Sequence, residues 1–196
     1  MTTAVRTSGP GHAGLSVLVI PMDSPGLSHR RIPNSGQKAG GASFIELDNV
    51  KVPAENLIGK EGDGFKIIMK NFNRERFVMA IGCNRRARDC MSDAFAYAHK
   101  RHTFGKPLIS NQVIRAKIAR IARDVESHWA WLEQIAYATQ QSPSKWESQE
   151  LAGRVALAKV MGGKLLEKAA REAQQIFGGA GYQRGGVGGK IGRAHV

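Results

Sequence analysis

The chain has 196 residues, 42% hydrophobic and 23% charged, a globular composition that excludes a disordered tail. Lys and Arg number 29 against 16 Asp and Glu, giving a formal net charge of +13. That excludes an acidic solvating protein and favours an anionic partner: nucleic acid, a membrane surface or a phosphorylated small molecule.

In chain order, residues 1–58 are β-rich. Thr2–Arg6, Ser16–Pro21, Ser28–Ile32 and Ser43–Leu47 read as strands, parted by the Gly/Ser/Pro-rich breakers Ser8–Gly14, Ser24–Gly26 and Gly36–Gly41. Val52-Pro53 closes the region as a rigid extended dipeptide. So few strands leave a sheet incomplete. From Gly62 the period changes to 3.6. Phe65, Met69, Phe72, Arg76, Met79, Cys83, Ala87, Cys90, Ala94 and Ala98 predict one helix over Gly64–Lys100, broken by Gly105 and Pro107. Ser110 or Asn111 caps a second helix, with Ile114, Ile118, Ile121, Val125, His128, Leu132 and Ala136 as its stripe and an end near Gln140. Ser142-Pro143-Ser144 is a breaker, and Ser144 with Glu147 fits a capping box. The third helix carries Leu151, Val155, Ala158, Gly162, Leu165, Ala169 and Ala173 and stops at Gly178-Gly179.

The expected fold class is mainly α: an incomplete up-down helical bundle over residues 62–190, preceded by a partial β-domain over 1–58. The last stretch, from Gly185, has no helix, strand or cap signal and offers no core residue. Ile191–Val196 reads as the translation of a widely used sequencing-library adapter, so residues 191–196 are expected to be a non-native tail. No apolar run reaches the roughly 18 residues of a membrane span, and no secretory signal opens the chain. Cys83 and Cys90 lie about 10 Å apart at helical rise, beyond disulfide reach, so two reduced intracellular thiols are expected.

Three segments could carry chemistry. Arg101-His102-Thr103-Phe104-Gly105-Lys106-Pro107 joins two cations and a hydroxyl to a turn just before a helix start, which suits a pyrophosphate; a solvated basic loop is the plainer alternative. Gln175-Ile176-Phe177-Gly178-Gly179-Ala180-Gly181-Tyr182 lets backbone approach a flat or charged ligand, or merely caps a helix. Glu75 has Phe72, Met79 and Asn71 near it on the helix; apolar surroundings would raise its proton affinity and suit a general base. The alternative is a surface carboxylate paired with Arg74 or Lys70. His102 and His128 lack a second ligand at metal spacing, so no metal site is expected. The glycines at 185, 186, 188 and 189 follow no strand and make no Rossmann fingerprint. Arg85, Arg86, Arg88, Arg115, Arg120 and Arg123 are spread over helix faces without interleaved aromatics, which disfavours a nucleic-acid platform.

Taken together, these segments resemble the acyl-CoA dehydrogenase family. The matching pieces are Asp48-Asn49-Val50-Lys51-Val52-Pro53, Asn56-Leu57-Ile58-Gly59, Gly62-Asp63-Gly64-Phe65, Asn73-Arg74-Glu75-Arg76, the Arg101–Lys106 loop with Gln112, and Gln175–Tyr182. The resemblance spans roughly residues 1–190. It implies the end of a middle β-domain joined to most of a C-terminal helical domain, in a chain truncated at both ends and inactive alone. It implies homotetramers that bind FAD at subunit contacts, act on acyl-CoA and pass electrons to an acceptor such as an electron-transfer flavoprotein, with a mitochondrial or peroxisomal location compatible. Carried over, Arg101, Thr103, Phe104 and Gln112 would bind FAD, and Gln175, Ile176, Phe177, Gly178 and Gly179 would approach the FAD of a neighbouring subunit. Asn73, where many members carry Asp, and Arg76 would contact the acyl-CoA. In the isovaleryl and long-chain types the base lies on this helix at the position matching Glu75, which the resemblance therefore implies as a candidate base, and in many others it is a C-terminal loop residue. The alternative reading is a relative of the alkylation-response flavoproteins, which bind DNA through a basic helical surface.

Overall fold

The computed structural model describes residues 1–34, 38–183 and 185–192. The chain divides into two compact units, Met1–Phe72 and Asn73–Val196. In chain order come β1 (Thr2–Arg6), β2 (Leu15–Val19), β3 (Leu27–Arg31), β4 (Ser43–Leu47), β5 (Leu57–Ile58), α1 (Gly64–Lys100), β6 (His102–Thr103), β7 (Lys106–Pro107), α2 (Gln112–Gln141), α3 (Gln149–Phe177), α4 (Gly179–Tyr182) and α5 (Gly189–Gly192). Part of the Gly36–Gly41 breaker lies outside the described residues.

In the first unit β2 is central, antiparallel to β1 (Thr2 opposite Val19) and to β5 (Val17 opposite Ile58). β3 and β4 form a separate antiparallel ribbon, Leu27 opposite Leu47. Its strands are largely exposed, as expected of a sheet with too few strands to bury a face. Among the described residues of this unit, Val17 and Ile20 are buried apolar side chains. Ser16 is buried with its hydroxyl bonded to Thr7 Oγ1 at 2.7 Å and accepting from the Gly62 N–H at 3.0 Å.

The second unit is an up-down arrangement of α1, α2 and α3, with α2 packed against α3. On α3 every stripe residue named from sequence is buried. On α2, Ile121, Val125, His128 and Leu132 are buried as expected, but Ile135 and Thr139 take the place given to Ala136, which is exposed. On α1 the stripe holds from Ala87 onward and slips before it. Asn73, Ala80 and Asn84 face the core, whereas Phe72 and Met79 are 39% and 53% exposed. Two core-facing positions in that half are polar, so a search for apolar spacing alone selects the neighbouring row.

Two apolar clusters fill the bundle. One comprises Ala87, Cys90, Met91, Ala94, Ala98, Ile121, Val125 and the second half of α3; the other is built on Ala80, Leu132, Ile135, Leu151, Val155 and Ala158. Between them sits a buried polar link. His128 Nε2 meets the Ala158 carbonyl at 2.9 Å and its Nδ1 meets Asn84 Nδ2 at 3.1 Å, while that amide also donates to the Val125 carbonyl at 3.0 Å. The Lys168 ammonium bonds Asp124 at 2.7 Å between α3 and α2, and with Arg123 holds the Asp124 carboxyl below the usual carboxylate range. Both cysteines are free, and burial, aided by Asp93 and Asp89, pushes the Cys90 thiol up.

Asn111 caps α2, its Oδ1 accepting from the Val113 N–H at 2.9 Å. The start of α3 differs from the expected capping box at Ser144 and Glu147. Residues Pro143–Glu147 form a 3₁₀ turn, the Ser144 hydroxyl bonds Ser142, and Ser148 is the cap, its Oγ accepting from the Leu151 N–H at 3.2 Å. Pro143 starts a turn of its own, which delays the α-helix by one turn. Ser148→Ala is therefore expected to lower the unfolding free energy by about 1 kcal/mol, and Ser144→Ala by less than about 0.5 kcal/mol, in urea titrations. At the other end Ile191 is buried in the first cluster, contrary to the expectation that this stretch adds no core residue. One helical turn at Gly189–Gly192 brings it there. Residues 193–196 of the expected tail lie outside the described residues.

Candidate functional site

Where α1 ends, the chain makes a tight hairpin. β6 and β7 pair antiparallel, Thr103 opposite Lys106, with only Phe104 and Gly105 between them. Both turn residues have positive φ, 50° and 76°, which matches the twist of a two-residue hairpin. Glycine accepts this backbone freely, but a phenylalanine there carries a conformational cost of about 1–2 kcal/mol. Its ring recovers none of it by packing, since Phe104 is 105% exposed. Phe104→Gly is accordingly expected to change the unfolding free energy by no more than about 0.5 kcal/mol, because relief of the backbone offsets the extra flexibility of glycine. An aromatic kept at such a position points to a use outside folding.

The end of α3 meets this hairpin. Gly178, with φ 56°, caps the helix, and its N–H bonds the Gln174 carbonyl at 2.9 Å. Phe177 packs on Tyr97 of α1 with ring centroids 4.6 Å apart. Arg101, Thr103, Leu108, Ile176, Phe177, Gly178 and Gly179 together line a cleft of about 470 Å³. A cation, a hydroxyl, two aromatic rings and two bare glycines thus converge from segments some 75 residues apart. Added Cβ atoms at Gly178 and Gly179 would meet nothing within 4 Å, so the backbone there faces open space. That arrangement can take an anionic group at Arg101 and a flat group against the backbone.

The structure brings together six of the residues expected to hold a cofactor: Arg101, Thr103, Ile176, Phe177, Gly178 and Gly179. Phe104 stands beside them at the hairpin tip, and Gln112 and Gln175 are exposed outside the cleft lining. Tyr97 was not singled out from sequence. Its signal was available: it lies one helical turn before Arg101, so both project from the same end of α1.

The residues expected to handle substrate lie at the other end of α1. Asn73 is buried, Arg76 half-buried and Glu75 exposed. Val78 and Met79, one turn on from Glu75, are exposed apolar side chains. The apolar surroundings expected of a base are thus present as an open surface rather than an enclosed pocket. Among the described residues no cluster of His, Cys, Asp or Glu is placed to hold a metal, and no helix is long and apolar enough to cross a membrane.

Comparison with known proteins points to the acyl-CoA dehydrogenases. Residues 62–195 match the profile of the acyl-CoA dehydrogenase C-terminal domain. The chain is 47% identical over 188 residues to acyl-CoA dehydrogenase apdG of Emericella nidulans, covering 95% of this chain and 43% of that protein. It is 42% identical over 192 residues to acyl-CoA dehydrogenase AFT10-1 of Alternaria alternata, covering 97% of this chain and 44% of the other. Its fold matches butyryl-CoA dehydrogenase of Megasphaera elsdenii with a TM-score of 0.85 at 27% identity, over 98% of this chain and 49% of that one. The chain therefore spans less than half the length of the curated relatives it resembles.

Proposed function

The chain belongs to the acyl-CoA dehydrogenase family, and from that premise we propose that it is part of an FAD-dependent enzyme that introduces an α,β double bond into an acyl-CoA thioester. The cleft between the α1–α2 hairpin and the end of α3 carries this reading. Its donor set fits the dinucleotide: Arg101 is a fixed cation for the pyrophosphate, Thr103 a hydroxyl donor, and Gly178-Gly179 a backbone free of side chains. Phe104 adds an exposed ring beside the cleft, while Gln112 and Gln175, outside its lining, are assigned to the cofactor by resemblance alone. When bound, FAD supplies the acceptor for the β-hydride. The work of this chain is to hold and orient ligands, and Glu75 takes the α-proton of the thioester at a carboxylate oxygen. Arg76 and Asn73 serve the acyl-CoA side.

The distance between the two regions bears on assembly. Glu75 and Lys100 are 25 residues apart on α1, about 37 Å at 1.5 Å per residue. That separation is compatible with a homo-oligomer, a tetramer by family habit, in which the hairpin of one copy would hold the cofactor used with another copy's substrate, electrons leaving to an electron-transfer flavoprotein. Segments that the longer relatives carry and these 196 residues lack complete the pocket, and the 196 residues alone are expected to turn over no acyl-CoA. A mitochondrial or peroxisomal setting fits this chemistry.

A DNA-binding role draws less support. Arg85 pairs with Asp89 at 3.1 Å, Arg88 with Glu126 at 2.6 Å and Arg123 with Asp124 at 2.8 Å, and Lys117 and Arg171 pair with Glu172 and Glu167. Three of the six helix-face arginines, Arg85, Arg88 and Arg123, are thus matched by carboxylates in place.

The test is extension of the chain to the length of its relatives, purification, and absorbance between 350 and 500 nm. Copurified flavin that bleaches on adding an acyl-CoA is the expected result, with Phe104→Gly and Arg101→Gln losing flavin on dilution. A flavin-free protein that binds duplex DNA with a steep salt dependence would reverse the order of the two readings.

A further inference from the structure

Asn73 ties the first half of α1 to the turn between α2 and α3. It is 6% exposed. Its Nδ2 donates to the Trp146 carbonyl at 3.3 Å, and its Oδ1 accepts from Arg76 Nη1 at 3.5 Å. The Trp146 side chain is itself packed in place. The indole meets the Phe77 ring edge-on, centroids 5.6 Å apart, and both rings pack against the cluster of Ala80, Leu132 and Leu151. The link is chemically directional. A backbone carbonyl needs a donor and a guanidinium needs an acceptor, and asparagine offers both from one planar group. An ionised aspartate offers acceptors alone, so it keeps the Arg76 bond and loses the Trp146 bond.

We propose that Asn73 is a positioning residue that acts through Arg76: it clamps the α2–α3 turn, by way of the Trp146 carbonyl, to the segment of α1 that carries Glu75, and it fixes the Arg76 guanidinium for the acyl-CoA instead of touching that ligand. The proposal rests on the acyl-CoA reading above. Both ends of the Asn73 amide are engaged inside the protein and almost none of its surface is left for a ligand. Trp146 thereby becomes part of the substrate side of the protein, although it lies some 70 residues from the motif it supports.

Two measurements test this, the first on the 196-residue chain and the second on the protein extended to the length of its relatives. The first is amide hydrogen exchange of residues 142–148, read by mass spectrometry without ligand. Asn73→Asp and Asn73→Ala are both expected to speed exchange there about tenfold or more, with the rest of α2 and α3 unchanged. Unchanged exchange in Asn73→Asp overturns the clamp. The second is titration with butyryl-CoA. Arg76→Gln is expected to weaken binding about tenfold and Asn73→Ala by a similar factor, while the double variant is no weaker than Arg76→Gln alone within about twofold. Asn73→Asp, which keeps the Arg76 bond, is expected to bind within about threefold of the original chain. Losses that multiply in the double variant show that Asn73 touches the ligand and overturn the proposal. Absence of binding by the extended original protein strikes at the acyl-CoA reading and at the role of Arg76 with it, a result distinct from binding with multiplied losses.

Discussion

In the protein extended to the length of its relatives, Glu75→Gln is expected to leave acyl-CoA binding unchanged and to slow acyl-CoA-driven flavin bleaching by about a thousandfold, the middle of the range for a positioned general base. Glutamine keeps the shape and the hydrogen-bonding reach of glutamate but cannot accept a proton, so binding and chemistry separate. The α-proton of a thioester is weakly acidic, so the carboxylate must be stripped of water when it acts. In this chain Glu75 is exposed, with Val78 and Met79 forming an uncovered apolar surface one turn away. The covering layer has to come from the ligand, from segments of the longer relatives, or from another copy. Stopped-flow absorbance at the flavin band, with KM and bleaching rate measured separately, checks the prediction. A variant that bleaches at the original rate assigns the base to the C-terminal loop used by other family members, and Glu75 then returns to the role of a surface carboxylate.

The bounds of α1 were legible to the residue, because flanking glycines and Pro107 interrupt the pattern on both sides. The row of α1 that faces the core was not. Periodicity counts apolar residues, and Asn73 and Asn84 are core residues that owe their burial to specific partners, a carbonyl of Trp146 and the ring of His128. The same blindness hid the role of Asn73. As a letter in a motif it reads as a ligand contact, and only the carbonyl opposite it explains why an amide is the fitting group. The α2–α3 junction failed for a related reason. Two serines, at 144 and 148, offer caps, and the choice falls to the second because a 3₁₀ turn from Pro143 uses up the residues between them. Arg101 and Thr103 read in sequence as a candidate anion site and Gly178-Gly179 as bare backbone. That they share one cleft depends on where α1 and α3 end relative to each other, which no local pattern encodes. β6 and β7, two residues each, are too short to show a period at all.

His128→Ala is expected to cost about 3 kcal/mol or more, the largest stability effect of any single polar residue in the bundle, since it both opens a cavity and strips Asn84 of a partner. His128 is fully buried between the two apolar clusters. Its tautomer follows from its neighbours: Nε2 faces the Ala158 carbonyl and so carries the hydrogen, which leaves Nδ1 to accept from the Asn84 amide. The ring is therefore neutral, and burial pushes its pKa below the ordinary histidine value. A second proton would have to enter at Nδ1, opposite an N–H that already points there. Gly162 makes room for the ring, because a Cβ at that position would lie only 3.1 Å from His128 Cε1. The consequence for stability has a definite sign. Below about pH 6.5 the unfolded chain takes up a proton at this histidine while the folded chain resists it, so the unfolded state gains and stability falls as pH drops. Above that pH both states are neutral and the contribution is complete. The slope is at most one proton, about 1.4 kcal/mol per pH unit, and it ends where the folded histidine at last titrates. Urea titrations between pH 5 and 8 check this. The original chain is expected to lose stability on the acid side of 6.5. A His128→Gln variant, whose amide can donate to the Ala158 carbonyl without carrying a titrating group, is expected to start lower and to show a flatter dependence over the same range. Equal slopes in the two proteins would place the acid sensitivity elsewhere, and Asp124, whose carboxyl is held low by Lys168 and Arg123, accounts only for losses that begin nearer pH 4.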